Sequence, residues 1–116
     1  MRADGKLDYI EMPATGGSMD AVKSFYAAAF GWTFTDYGPT YAAFDEGLEG
    51  GFQADSEEAK PKPLPILYSK DLTGALAAVQ NAGGRIAVPI YAFPGGRRFH
   101  FSDHAGNELA VWSDKG

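Results

Sequence analysis

The run Arg98-Phe99-His100-Phe101-Ser102 is where this chain could do acid–base chemistry. If it is a strand, Phe99 and Phe101 share one face and Arg98, His100 and Ser102 share the other. An imidazole changes its charge near neutral pH, so a histidine beside a guanidinium on an accessible face is a candidate general acid or base. The competing reading is a hydrogen-bonded strand histidine with no chemistry. His104, the second histidine, lies in the turn Asp103-His104-Ala105-Gly106-Asn107 and is expected in solvent. Glu11 and Glu108 lie near the two ends of the chain on candidate strands. A carboxylate on an apolar face needs a cation, a donor or open water, and Arg98 is the obvious partner. Tyr9, Tyr41 and Trp112 are aromatic members of strands that could line the same cleft, or packing residues. Cysteine is absent, which removes thiolate nucleophiles, disulfides and thiolate metal sites together.

The elements that position these residues occur twice. Ser18 opens one helical stripe and Asp71 opens another 53 residues later; Gly31 and Gly83 close them. The first stripe is Met19, Val22, Phe25, Tyr26, Ala29 and Phe30, and the second is Leu72, Ala75, Leu76, Val79 and Ala82. A strand precedes each helix, Leu7 to Pro13 and Leu64 to Ser69, with Ile10 and Met12 expected to face the core. Three strands follow each. They are Trp32 to Thr35, Thr40 to Phe44 and Gly51 to Gln53 in the first copy, and Arg85 to Tyr91, Arg97 to Ser102 and Glu108 to Trp112 in the second. Gly50-Gly51 and Gly95-Gly96 read as turns or bulges, since neither opens a helix as a phosphate loop does.

The charged, proline-punctuated stretch over residues 55–63 reads as the linker between repeats at about 7–54 and 64–113 of a single domain covering residues 1–116. Each copy is too small to bury a core alone. The expected fold is therefore α+β: two βαβββ modules paired around a cleft, with mostly antiparallel curved sheets and the helices outside.

Composition sets the function classes. The chain has 116 residues, 45% of them hydrophobic, a formal net charge of −5 and a single adjacent basic pair, Arg97-Arg98. Nucleic acid is not expected as a partner, because phosphate binding draws on clustered cations. No apolar run reaches membrane-span length, and the N-terminal residues lack a signal peptide's apolar core, so no membrane partner and a cytoplasmic location are the expectation. An aromatic fraction of 14% leaves more apolar surface than two thin layers readily cover, which predicts a homodimer.

Phe25-Tyr26 followed by Phe30-Gly31-Trp32, then Gly50-Gly51, Gly83-Gly84, and finally Phe101-Ser102-Asp103-His104-Ala105-Gly106-Asn107, resemble in order and content the vicinal oxygen chelate superfamily. That group contains glyoxalase I, bleomycin resistance proteins and extradiol dioxygenases, and the likeness covers essentially the whole chain. The resemblance implies paired modules around a ligand cavity, dimers, and a divalent metal held by His and Glu on cavity-facing strands. Here the implied ligand positions fall at Tyr9, at or beside Pro65, and at Ala110; the fourth falls near Gly50 to Gln53, with Glu49 the nearby carboxylate. A placement shifted by one residue would bring in Glu11 or Glu108, and would also turn the strand residue to the other face.

No cofactor is therefore expected, and a divalent metal is disfavoured. The first reading is a metal-free small-molecule-binding protein whose ligand meets Tyr9, Glu11, Arg98, His100, Glu108 and Trp112. The alternative is a lyase, isomerase or dioxygenase-type enzyme, with an atypical metal site or acid–base catalysis by His100. A module that only mediates protein association is a third reading.

Overall fold

The structure is a computed structural model and describes residues 2–16 and 18–115, so Met1, Gly17 and Gly116 lie outside the described residues. The chain divides into two compact units, residues 9–64 and residues 2–8 with 65–115. The architecture is α+β, and within the units the paired strands are mostly antiparallel.

The first unit contains β1 (Leu7–Pro13, whose first two residues count with the other unit), α1 (Met19–Phe30), β2 (Thr35–Asp36), β3 (Tyr41–Asp45) and β4 (Glu49–Gln53). Its strand order is β2-β3-β4-β1, with β1 parallel to β4 and the other pairs antiparallel. Ser18 caps α1 by accepting from the Ala21 N–H at 3.0 Å, a bond whose loss typically costs about 1 kcal/mol. Gly31 ends the helix in the left-handed region at φ 74°, where its N–H reaches the Ala27 carbonyl. Met19, Val22 and Tyr26 pack onto Phe44 and Phe52, and Ile10 and Met12 join them from β1.

Two expectations need correction here. Phe25 and Phe30 belong to the apolar stripe by spacing, yet they are 59% and 66% exposed. Successive helical residues turn by about 100°, so contact through Tyr26 swings Phe25 off the sheet, and Phe30 is the helix's last residue. The strand expected over Trp32 to Thr35 begins only at Thr35. Trp32 stacks on Tyr26 at 4.7 Å and meets Phe44 at 4.8 Å, and the Thr33 N–H is taken by the Glu46 carboxylate at 3.1 Å instead of a ladder carbonyl. A side-chain acceptor replaces the neighbouring strand.

The second unit repeats this plan with β5 (Leu64–Tyr68, Leu64 counting with the first unit), α2 (Leu72–Asn81), β6 (Arg85–Phe93), β7 (Gly96–Ser102) and β8 (Glu108–Ser113). Its order, β5-β8-β7-β6, is the first unit's order read from the other end, with β5 parallel to β8 in place of β1 parallel to β4. Asp71 caps α2 by accepting from the Gly74 N–H at 3.0 Å, and Gly83 leaves the helix at φ 92°. The core is Leu72, Phe99 and Val111, with Ala75, Leu76 and Val79 of α2 and Phe101 packed against it. Among the described residues, no helix is long and apolar enough to cross a membrane.

Candidate functional site

Alternation along β7 gives Phe99 and Phe101 to the helix-packed core and leaves Arg98, His100 and Ser102 on the opposite face. Register then decides the neighbours: Arg98 lies across from Trp112, His100 from Ala110 and Ser102 from Glu108. The Glu108 carboxylate leans diagonally, past the small Ala110 side chain, and its Oε2 lies 2.8 Å from His100 Nδ1. On the other flank, Val88 pairs with His100 and Tyr91 with Arg98, so Pro89 and Ile90 together face the single residue Phe99. That bulge turns Tyr91 onto the polar face while Ile90 stays in the core.

Tyr91 is the residue that sequence reasoning missed. Its hydroxyl lies 2.8 Å from His100 Nε2 and accepts from Arg98 Nε. The Arg98 guanidinium also stands over the rings of Tyr91 and Phe93, 5.5 and 5.6 Å from their centroids. Pro89 carried the signal, because a proline inside a strand-like run has no N–H for the ladder and marks an edge or a bulge.

His100 is only 1% exposed, with both ring nitrogens in use. With Glu108 ionised, Nδ1–H donates to the carboxylate and Nε2 accepts from the Tyr91 hydroxyl, an arrangement that satisfies every group in the chain. No buried side-chain polar atom among the described residues lacks a partner. The chain Glu108–His100–Tyr91–Arg98 can therefore store or pass a proton along two hydrogen bonds.

Trp112 lies on the same face, 6.2 Å from Phe93. Its Nε1–H donates to Asp8 at 2.9 Å, and Arg2 both covers the indole at 4.8 Å and pairs with Asp8 at 3.5 Å. Nearby, the Tyr68 hydroxyl donates to Asp114 at 2.6 Å, which raises the Tyr68 phenol's pKa and lowers that of the Asp114 carboxyl. A row of rings and guanidinium groups thus runs from Arg2 to Arg98. His104 is exposed in its turn, with Nε2 directed at Gly83.

In the first unit, Tyr9 and Glu11 occupy the β1 face opposite Ile10 and Met12. The Tyr9 and Tyr41 hydroxyls meet at 2.5 Å, and burial raises the Tyr9 pKa, with the Tyr41 bond working against it. Glu11 is buried at 7% exposure and lies across from Gly51. The Gly50-Gly51 pair is neither turn nor bulge: both residues sit inside β4 in regular register with β1 and β3. A side chain at Gly50 would strike the Ile10 carbonyl and the Phe44 ring, and one at Gly51 would strike the Tyr41 phenol. Of the Gly95-Gly96 pair, Gly95 lies with Pro94 in the turn that follows Phe93, whereas Gly96 is the first residue of β7 and pairs with Phe93. A shallow cavity of about 270 Å³ on the first unit is lined by Thr33, Thr35, Tyr37, Ala43, Phe44, Asp45 and Glu49; of the residues the sequence singles out it holds Glu49 but none of Tyr9, Glu11, Arg98, His100, Glu108 and Trp112.

The metal implied by the family resemblance does not fit this donor set. Among the described residues no three His, Cys, Asp or Glu side chains come together as a metal group. Tyr9 is engaged with Tyr41, Pro65 and Ala110 offer no side-chain donor, and His100 has committed both nitrogens.

Comparison with known proteins agrees with the fold. The chain is similar to the NAD-dependent benzaldehyde dehydrogenase of Legionella pneumophila, with a TM-score of 0.73 at 17% identity, covering 90% of this chain and 96% of that one. It is similar to a glyoxalase/bleomycin resistance protein/dioxygenase superfamily member of Vibrio splendidus 12B01, with a TM-score of 0.69 at 11% identity over 93% and 99% of the two chains. The Mn(II)-bound glyoxalase of Novosphingobium aromaticivorans gives a TM-score of 0.59 at 22% identity; 91% of this chain matches 37% of that larger one. At these identities the likeness concerns the fold alone. No curated protein matches the sequence. The sequence profile of one family matches residues 6–111, the span that holds α1, α2 and nearly all of β1 to β8, and the chain belongs to the Glyoxalase/Bleomycin resistance protein/Dioxygenase superfamily.

Proposed function

We propose that this chain is a small-molecule-binding protein that works without its family's usual divalent metal. The observation that carries the reading is the Glu108–His100–Tyr91–Arg98 chain, a connected set of polar groups beside the rings of Phe93 and Trp112. Polar anchors next to aromatic surface suit an amphipathic organic ligand. Arg98, Glu108, Tyr91 and Trp112 are its proposed contacts in the second unit, with His100 behind them; Tyr9 and Glu11 stay candidate contacts on the first unit taken by itself. Native mass spectrometry of gently purified protein should show an organic adduct, and metal analysis should show no stoichiometric transition metal. One tight ion per chain, lost in Glu11→Gln or Glu108→Gln, would restore the metal-enzyme reading.

A second reading, acid–base catalysis, is favoured by the engagement of both His100 nitrogens between a carboxylate and a phenol. Turnover of the adduct in the mass spectrum, lost in His100→Gln, is the outcome it requires. A homodimer in the cytoplasm completes the proposal, supported by the exposed Phe25 and Phe30 rings. Light scattering at micromolar concentration tests the dimer, and a monomer mass removes it.

A further inference from the structure

The hydrogen-bond chain of the second unit divides its labour unequally. His100 is 1% exposed and fully engaged, whereas Tyr91, one bond further out, is only partly buried. A ligand arriving on this face meets the Tyr91 hydroxyl before it can meet the imidazole. The Tyr91 oxygen is also where two opposite tendencies converge. With Nδ1–H donated to Glu108, the Tyr91 proton is directed to the His100 Nε2 lone pair, and the Arg98 guanidinium supplies positive charge beside the oxygen.

We infer that Tyr91 is the residue that exchanges a proton with the ligand, with His100 taking up the proton that Tyr91 passes on and Glu108 as the positioning residue that holds the imidazole. The ligand class is a planar, weakly acidic hydroxyl compound bound as its anion. The inference rests on the reading that this face binds a small molecule. In the step, the ligand O–H bond breaks and its proton passes to the Tyr91 oxygen as the Tyr91 proton passes to His100 Nε2. The resulting imidazolium is paired with the Glu108 carboxylate at 2.8 Å, and the ligand anion lies near Arg98. Nothing is oxidised or reduced, and release reverses the transfer. The Phe93 and Trp112 rings, 6.2 Å apart, supply the surface for the planar body.

The test uses p-nitrophenol, whose neutral and ionised forms differ in colour, titrated with the purified full chain across the acid side of the probe's own ionisation. Bound probe should be ionised at a pH where free probe is neutral, with its apparent pKa lowered by about one unit, equivalent to a roughly tenfold preference for the anion. Tyr91→Phe should abolish that shift, and His100→Gln and Glu108→Gln should reduce it, each with an unchanged circular dichroism spectrum. An equal shift in Tyr91→Phe would overturn the assignment of Tyr91. Probe bound in its neutral form would overturn the proton transfer while leaving the binding reading standing. No binding of the probe would overturn the ligand class, and the native mass spectrum then judges the binding reading separately.

Discussion

His100 reaches Glu108 diagonally: its register partner on β8 is Ala110, and the carboxylate two residues earlier leans back to meet the imidazole at 2.8 Å. Ala110 itself is fully buried.

Removing His100 should therefore cost less stability than removing its core neighbour. His100→Ala leaves Tyr91 and Glu108 each short of a partner, worth about 1–3 kcal/mol. Phe99→Ala empties a site with 0% exposure and should cost about 3–5 kcal/mol. Urea unfolding of the two variants measures the difference. Equal losses would mean that His100 acts as packing and that its hydrogen bonds contribute little.

The Tyr41 phenol lies where a side chain at Gly51 would have to go. Gly51→Ala should destabilise by about 1–3 kcal/mol through overpacking. In a Tyr41→Ala background the same change should cost clearly less, since the obstructing ring is gone. A double-mutant cycle in thermal unfolding reads the coupling, and additive losses would show that the ring is free to move aside.

Asp103 organises the turn before β8, accepting from the Asn107 side chain and backbone at 3.0 Å and from the Ala105 N–H at 2.8 Å. These bonds, the Asn107 side chain first, hold its carboxyl below the usual range. A carboxyl lowered on folding adds stability above its unfolded value, about 4, and loses that contribution as pH falls toward its folded value. Asp103→Ala should thus lose stability at neutral pH and show a flatter decline between about pH 4 and more acidic conditions. Denaturant midpoints measured across that interval check it. An unchanged acid limb would place the titration elsewhere.

The Tyr68–Asp114 bond should act at both ends of the pH range. It raises the phenol and lowers the carboxyl. The raised phenol adds stability below its unfolded value, about 10, that is lost as pH rises through its folded value. The lowered carboxyl adds stability above about 4 that is lost on acidification. Tyr68→Phe should remove both dependences, narrowing the difference from the unaltered protein at each extreme. Melting temperatures at acid, neutral and alkaline pH provide the measurement, and a uniform offset at all three would assign the loss to packing.

Local chemistry made much of this fold legible in advance. Ser18, Asp71, Gly31 and Gly83 mark helix ends through bonds within a few residues, and the alternation of Phe99, His100 and Phe101 follows from strand geometry alone. The repeat was readable for the same reason, and it reappears as the same strand order in each unit. What the sequence could not decide was register. Tyr91 reaches His100 through the shifted register of β6 against β7, and Glu108 reaches it diagonally from the position across from Ser102. Trp32 and Phe34 likewise look like strand residues until the Glu46 carboxylate takes the Thr33 N–H. Caps and periodicities involve near neighbours in the chain and so can be read along it, whereas a side-chain network depends on which residues distant strands place side by side, and only the tertiary structure sets that.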